Sequence, residues 1–233
     1  MQAVILAAGK GTRLRPLTNK TPKALLEIEP GVAVADKIFQ ALPEEIGEVI
    51  FVVNHLEEQV RKRYGNFFNG RKARYVRHEK LDGSAMAVWA CKDILDGDFL
   101  VLNGDDVFNK KDLERLIKHD LAVLIYRSRG RASGGRVKIR KDGDLADIVD
   151  YPEGETGEYW LNAGAYKLNK DFFDYEPALM KRGSREFGLP QTLAKMAREH
   201  KVAVERAGEY FQINSKEDLA RVKRFFKKGS VAK

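Results

Sequence analysis

The sequence predicts an α/β fold built on a doubly wound, mainly parallel sheet, with a small β-hairpin inserted in its second half. Two observations predict the sheet. Short apolar runs of strand length recur at 3–8, 48–53, 73–77, 99–102 and 121–126, and helical patterns separate most of them at 34–42, 56–63, 83–95 and 111–118. Runs that are apolar throughout suit strands covered on both faces, and strand–helix alternation is the mark of parallel sheets. The third observation is a change of rhythm after Arg127. There 136–140 and 145–151 alternate around the turn Lys141-Asp142-Gly143-Asp144, which reads as a hairpin.

Taken in order, the first strand ends abruptly in Gly9 and Gly11, and residues 23–28 read as a short extended piece. Pro43 stops the helix over 34–42, and Asn54 stands where it would cap the helix over 56–63. In the helix over 83–95, Ala85, Val88, Trp89 and Ile94 fall on related faces. The strand over 99–102 runs into Asn103-Gly104-Asp105-Asp106. Gly130, Gly134 and Gly135 punctuate a loop before the hairpin; a strand over 160–168, a helix over 186–200, a strand over 202–205 and a last helix over 216–227 complete the chain. Without repeats, linkers or low-complexity tracts, residues 1–233 read as a single domain.

The 233 residues, 43% hydrophobic and 33% charged, suffice for one large core. No apolar stretch approaches a membrane span, and the first strand lacks the basic lead and cleavage site of a signal peptide. A cytoplasmic location is the resulting expectation. Cys91 is the single cysteine, and its setting in Ala87-Val88-Trp89-Ala90-Cys91 suggests a buried thiol rather than a nucleophile. The net charge of +8 fits nucleic acid, an acidic membrane or small anionic substrates. No basic run is interleaved with aromatics as a single-strand binder requires, and the cluster over 221–228 reads as the solvated face of the last helix. Neither nucleic acid nor membrane is therefore expected as a partner. Phe172-Phe173 and Phe225-Phe226 fit core or a homo-oligomer interface equally.

Gly9 and Gly11 leave no side chain between main chain and ligand, and a turn of exposed N–H groups cradles an anion. Arg13, Arg15 and Lys23 follow, so a strand, a glycine turn and cations stand together as they would in a triphosphate site; an ordinary tight turn beside a solvated basic face is the bland alternative. The Walker pattern fails because Thr12-Arg13 follows Gly11, and the dinucleotide pattern fails because Leu14 occupies the third glycine position. What fits is Leu6-Ala7-Ala8-Gly9-Lys10-Gly11-Thr12-Arg13-Leu14-Arg15-Pro16-Leu17-Thr18 with Pro22-Lys23 beyond it. This resembles the sugar-phosphate nucleotidylyltransferases, the NDP-sugar pyrophosphorylases, including those like glucose-1-phosphate thymidylyltransferase. The resemblance covers nearly the whole chain, although no left-handed β-helix repeats follow. It implies a Rossmann-like nucleotide-diphospho-sugar transferase fold with a nucleotide-binding half over 1–126 and an acceptor-binding half over 127–233.

The resemblance also implies a reaction and roles. An oxygen of a sugar 1-phosphate attacks the α-phosphorus of an NTP, and pyrophosphate leaves. Arg13 contacts the triphosphate and Lys23 bridges the reacting phosphates, while Ala8, Gly9, Gly11 and Thr12 form the cradle. Asp105, in a stretch like the family's L-x-G-D, is the expected Mg²⁺ ligand; capping of the next helix is the alternative, and capping or surface is the expectation for Asp106. For the base, Gly83 and Ser84 match a G-T-A segment, and His78 stands where glutamine is common; taken alone, His78 reads as a surface histidine. Gly135, Asp150, Asn162 and Gly164 fall where the family grips the sugar phosphate.

Three departures stand out. Near the second metal position the chain reads Gln212-Ile213-Asn214, with amides where relatives carry acids; Asn214 is the expected second ligand, or a plain N-cap. The E-K-P lysine is missing, because Asp150-Tyr151-Pro152 occupies its place, with Arg136 or Lys167 as candidate replacements. Tyr151, Tyr159 and Trp160 gather there, either as strand and core residues or as faces for a sugar or a quaternary ammonium. Two rival functions follow: a cytidylyltransferase for a non-sugar phosphate such as phosphocholine or inositol phosphate, and a catalytically weak nucleotide-binding regulator of the same fold.

Overall fold

The computed structural model describes residues 1–131, 135–150, 156–181 and 183–231. In chain order the strands are β1 (Gln2–Leu6), β2 (Glu27–Glu29), β3 (Val32–Ala33), β4 (Glu48–Val53), β5 (Phe67–Phe68), β6 (Arg71–Arg77), β7 (Phe99–Asn103), β8 (Asp106–Phe108), β9 (Ala122–Arg131), β10 (Gly135–Ile139), β11 (Leu145–Asp150), β12 (Thr156–Leu168), β13 (Ala203–Arg206) and β14 (Tyr210–Gln212). The helices are α1 (Val34–Ala41), α2 (Glu57–Tyr64), α3 (Ser84–Trp89), α4 (Lys110–Leu116), α5 (Leu189–Met196) and α6 (Lys216–Val231).

The main sheet runs β11-β10-β12-β7-β1-β4-β6-β5, with β9 on β12 and β13 on β9. Its centre, β7-β1-β4-β6, is parallel, whereas β12 runs antiparallel to β7 and begins the second half. The chain leaves β1 toward β4 on one side and later returns to β7 on the other. Beyond the carboxyl ends of β1 and β7 lies the switch point where open α/β sheets hold ligands. The residues that follow these ends are Ala7 to Gly11 and Gly104 to Asp105.

Side-chain alternation explains why these strands are apolar throughout. Val4, Ile50, Val52, Phe99 and Val101 face one layer with α3 and α5, while Ala3, Ile5, Val49, Phe51, Leu100 and Leu102 face the layer of α1, α2 and α4. All eleven are fully buried, each aliphatic one contributing about 1.5–3 kcal/mol of transfer free energy. Phe172 and Phe173 belong to the first layer, which settles them as core, while Phe225 is 40% exposed and packs beside Phe226 and Phe211.

Several boundaries differ from the sequence reading, each for a local reason. Asn54 does not cap α2: Leu56 takes the N-cap position with φ 57, and Asn54 Nδ2 instead donates to the His78 carbonyl at 2.8 Å. The helix over 83–95 ends at Trp89 because its last turn tightens, with Ala90 N bonding to Met86 and Val88 carbonyls, and a 3-10 turn Lys92–Ile94 follows. The helix over 186–200 starts only at Leu189, since Phe187 and Gly188 are bonded back to Leu179 and Ala178. Residues 23–25 form a 3-10 turn before β2 rather than an extended run. The ribbon β8–β14 is absent from the reading because three-residue strands are too short to show a period. Gly134, Tyr151 and Pro152 lie outside the described residues. Among those described, no helix is long and apolar enough to cross a membrane.

Candidate active site

The glycine loop folds back on itself. Gly11 has φ +61 and caps a 3-10 turn Thr12–Leu14, with Leu14 N bonded to the Gly11 carbonyl at 2.9 Å and the Thr18 hydroxyl donating to the same carbonyl at 2.7 Å. A Cβ on Gly11 would lie 2.8 Å from Thr18 Cγ2, so conformation and space both demand glycine. Across the switch point Gly104 N bonds the Leu6 carbonyl at 3.0 Å, and a Cβ there would meet that oxygen at 2.7 Å. The two strand ends are thereby drawn together, and Asp105 projects beside the loop.

Lys23 closes the group. Its Nζ is ion-paired to Asp105 Oδ2 and lies 3.4 Å from Asn214 Oδ1, while Arg13 Nη2 donates to Asn214 Oδ1 at 3.2 Å. A cavity of about 200 Å³ is lined by Gly9, Gly11, Thr12, Arg13, Lys23, Asp105 and Asn214. The ribbon holds Asn214 in place: Phe211 pairs with Val107 and Gln212 with Asp106, and Ile213 N bonds the Asp105 carbonyl at 3.3 Å. Ser215 and Asp218 form the reciprocal cap of α6, and Asp218 Oδ2 also accepts from Asn214 N at 3.0 Å. Asn214 is therefore a site residue rather than the N-cap. Arg15 is exposed at the loop's edge.

Asp106 is neither a cap nor a surface residue. Asn109 caps α4, its side chain accepting from Lys111 N at 2.9 Å. Asp106 is completely buried, and burial together with the neighbouring Asp105 charge pushes its carboxyl well above the usual carboxylate range. Asn103 Nδ2 donates to it at 3.1 Å. This pair lies under Gly164, where φ is +66 and a Cβ would come within 2.0 Å of Asn103 Nδ2 and 2.8 Å of Asp106 Oδ2. Gly164 thus lets the bulged strand β12 pack onto the floor of the site.

A second cavity of about 450 Å³ shares Gly9 with the first and reaches Ala8, His78, Gly83, Ser84, Asn103 and Glu186. His78 is 7% exposed, not a surface residue, and its Nε2 lies 2.7 Å from Asp82 Oδ1. Gly83 (φ +115) passes against Phe187, and Ser84 Oγ accepts from Leu189 N at 2.9 Å. Leu81, on the cavity wall, has φ 50, a left-handed strain of the kind found at functional sites. Sequence reasoning missed Asp82 and Glu186. Asp82 gave no signal until the loop brought it to His78, and Glu186 arrives from another part of the chain on the segment bonded to Gly83.

The acceptor residues are less gathered. Gly135 and Asp150 pair across β10–β11, and Asn162 Oδ1 accepts from Gly164 N at 3.1 Å while its Nδ2 donates to the Tyr166 hydroxyl. Neither cavity is lined by Gly135, Asp150, Asn162 or Gly164. Lys167 cannot replace the missing lysine: it is 1% exposed and bound to Asp98 at 2.6 Å and the Asp120 carbonyl at 3.3 Å. Arg136 stacks on the Tyr159 ring at 4.6 Å and Arg206 on Trp160 at 5.3 Å.

A glycine cradle with two cations at the switch point of an α/β sheet, opening into a ring-sized cleft, defines a nucleotide-handling protein. The model of the nucleotidyl transferase family matches residues 2–226. The chain is 31% identical over 204 residues to a bifunctional protein GlmU of Methanocaldococcus jannaschii, covering 87% of this chain and 48% of that protein. It is 32% identical over 181 residues to the UTP–glucose-1-phosphate uridylyltransferase AglF of Haloferax volcanii, covering 74% of each. It spans about half the length of the GlmU relatives it matches. Among solved structures, a UDP-glucose pyrophosphorylase complexed with UDP-glucose shares the fold at TM-score 0.79 and 17% identity, covering 98% of both chains. HddC of Yersinia pseudotuberculosis does so at TM-score 0.73 and 20% identity, covering 97% of this chain and 99% of that one. The chain belongs to the nucleotidyl transferase family, among the sugar-phosphate nucleotidylyltransferases.

Proposed function

We propose that this chain transfers the nucleotidyl group of an NTP to a sugar 1-phosphate, with release of pyrophosphate. The observation that carries the reading is the convergence of Arg13, Lys23, Asp105 and Asn214 on one small cavity at the glycine loop, continuous through Gly9 with a cleft large enough for a base. An oxygen of the acceptor phosphate forms a bond to the α-phosphorus as the bond to the β-phosphate oxygen breaks. Charge spreads over phosphoryl oxygens, so alignment and cations carry the catalysis. The loop amides and the Arg13 fork hold the triphosphate, and Lys23 places a compact positive charge between the reacting groups.

The same residues fit Mg²⁺. The Asp105 and Asn214 oxygens lie around one ammonium, so two hard donors point at one place. Among the described residues no set of three or more His, Cys, Asp or Glu forms a cage, which suits a cation shared with phosphates and water. When bound, the ion supplies charge neutralisation at the phosphoryl oxygens. The amide at 214 keeps an oxygen in position, which removes the motive for reading the chain as a weak regulator. The stacked arginines likewise occupy the Tyr159 and Trp160 faces proposed for a quaternary ammonium.

The test is pyrophosphate release with Mg²⁺, crossing the common NTPs with a panel of sugar 1-phosphates, phosphocholine and inositol 1-phosphate. Release with an NTP and a sugar 1-phosphate is expected. Release with only a non-sugar phosphate, or nucleotide binding with no release on any acceptor, would overturn it.

A further inference from the structure

The cleft also carries an inference about which bases it admits, and this rests on reading it as the base site. His78 is fixed on every side. Its N–H donates to the Val53 carbonyl at 2.9 Å, and its own carbonyl accepts from Asn54 Nδ2 at 2.8 Å. Its Nε2 meets Asp82 Oδ1 at 2.7 Å. Asp82 is pinned in turn, because Phe187 N donates to its carbonyl at 2.7 Å. An ionised carboxylate only accepts hydrogen bonds, so the shared proton belongs to Nε2 and Nδ1 of the neutral ring keeps its lone pair. Nδ1 has no protein partner and is not sealed from solvent, and His78 lines the cleft.

We propose that the Asp82–His78 pair selects bases that present a ring N–H, namely uracil, thymine or guanine, over cytosine and adenine. The corresponding ring nitrogen of cytosine or adenine is itself an acceptor, and two lone pairs facing each other in a closed cleft leave both unsatisfied. His78 touches the base. Asp82 is a positioning residue that fixes which ring nitrogen carries the proton.

Calorimetric titration of the whole chain with UTP, dTTP, GTP, CTP and ATP, without acceptor, reads the selectivity apart from turnover. UTP, dTTP or GTP is expected to bind about 10-fold to 100-fold more tightly than CTP and ATP, the ratio expected for one unpaired buried group. Asp82→Asn lets the amide donate to Nε2 and so permits the other tautomer; the ratio should fall to within about threefold. Asp82→Glu, which keeps the carboxylate, should restore it. Thermal melting identifies any variant that fails to fold, and His78→Ala then replaces Asp82→Asn, with the same loss of ratio expected. CTP or ATP binding as tightly as UTP, or a folded Asp82→Asn chain that keeps the wild-type ratio, would overturn the proposal. Selectivity without pyrophosphate release would sink the transfer reading alone, and failure of every nucleotide to bind would sink both.

Discussion

Gly83→Ala tests how the base cleft is built. Gly83 has φ +115, which L side chains rarely adopt, and a Cβ there would stand 2.2 Å from the Phe187 carbonyl oxygen and 2.5 Å from its nitrogen. These neighbours are backbone, so no rotamer change relieves the overlap. Two hydrogen bonds join the segments, Phe187 N to the Asp82 carbonyl at 2.7 Å and Ala85 N to the Phe187 carbonyl at 3.0 Å. Strain of this kind costs about 1–3 kcal/mol, and each backbone bond contributes about 1 kcal/mol net. Together the expected loss is about 3–5 kcal/mol of a total that for such domains is about 5–15 kcal/mol. Gly97→Ala is the matched control: φ is +64, but nothing lies within 4 Å of the added methyl. Its cost should be about 1 kcal/mol. Urea unfolding followed by tryptophan fluorescence measures both. Nucleotide titration should also show weaker binding for Gly83→Ala, because the segment bearing Glu186 must move. A Gly83→Ala chain no less stable than Gly97→Ala would refute the account of how the cleft is held.

Two further outcomes are expected. Asp105→Ala should abolish metal-dependent turnover while leaving the unfolding midpoint within about 1 kcal/mol of wild type, since the side chain is partly exposed; a mutant with full activity would remove Asp105 as the principal ligand. Burial pushes the Cys91 thiol up to about 12 from an ordinary value of 9.0. In the unfolded chain it ionises first, so the Cys91 contribution should cost stability progressively as pH rises from about 9 to 12 and vanish below that window. A Cys91→Ser chain should lack that slope, and native Cys91 should resist alkylation at pH 8 until denaturant is added.

Periodicity and motif spacing carried the strands well, because β1, β4 and β7 are apolar on both faces and nothing else in a chain of this size buries such runs. The glycine loop, Lys23 and Asp105 were equally legible, since each sits directly after a strand end. What stayed hidden depended on contacts between distant segments. Asn214 could be read as a helix cap until the ribbon β8–β14 set it beside Lys23. Asp106 looked like a surface acid because nothing local says that Gly164 will press upon it. Glu186 reaches the cleft only because Phe187 pairs with Leu179 and stacks its backbone on Gly83.

The ribbon has a consequence for the order in which the protein becomes competent. Arg13 and Asn214, whose hydrogen bond closes the phosphate cavity, are 201 positions apart, and Lys23 and Asn214 are 191 apart. During synthesis the glycine loop and the whole parallel centre leave the ribosome long before β14 does. At about 5–20 residues per second, the loop waits on the order of ten seconds or more for the segment that completes it. In that interval the nascent chain presents an open cradle without its second oxygen ligand. Contacts of such separation are the slowest to close in any folding chain, so nucleotide binding would appear as one of the last events of folding.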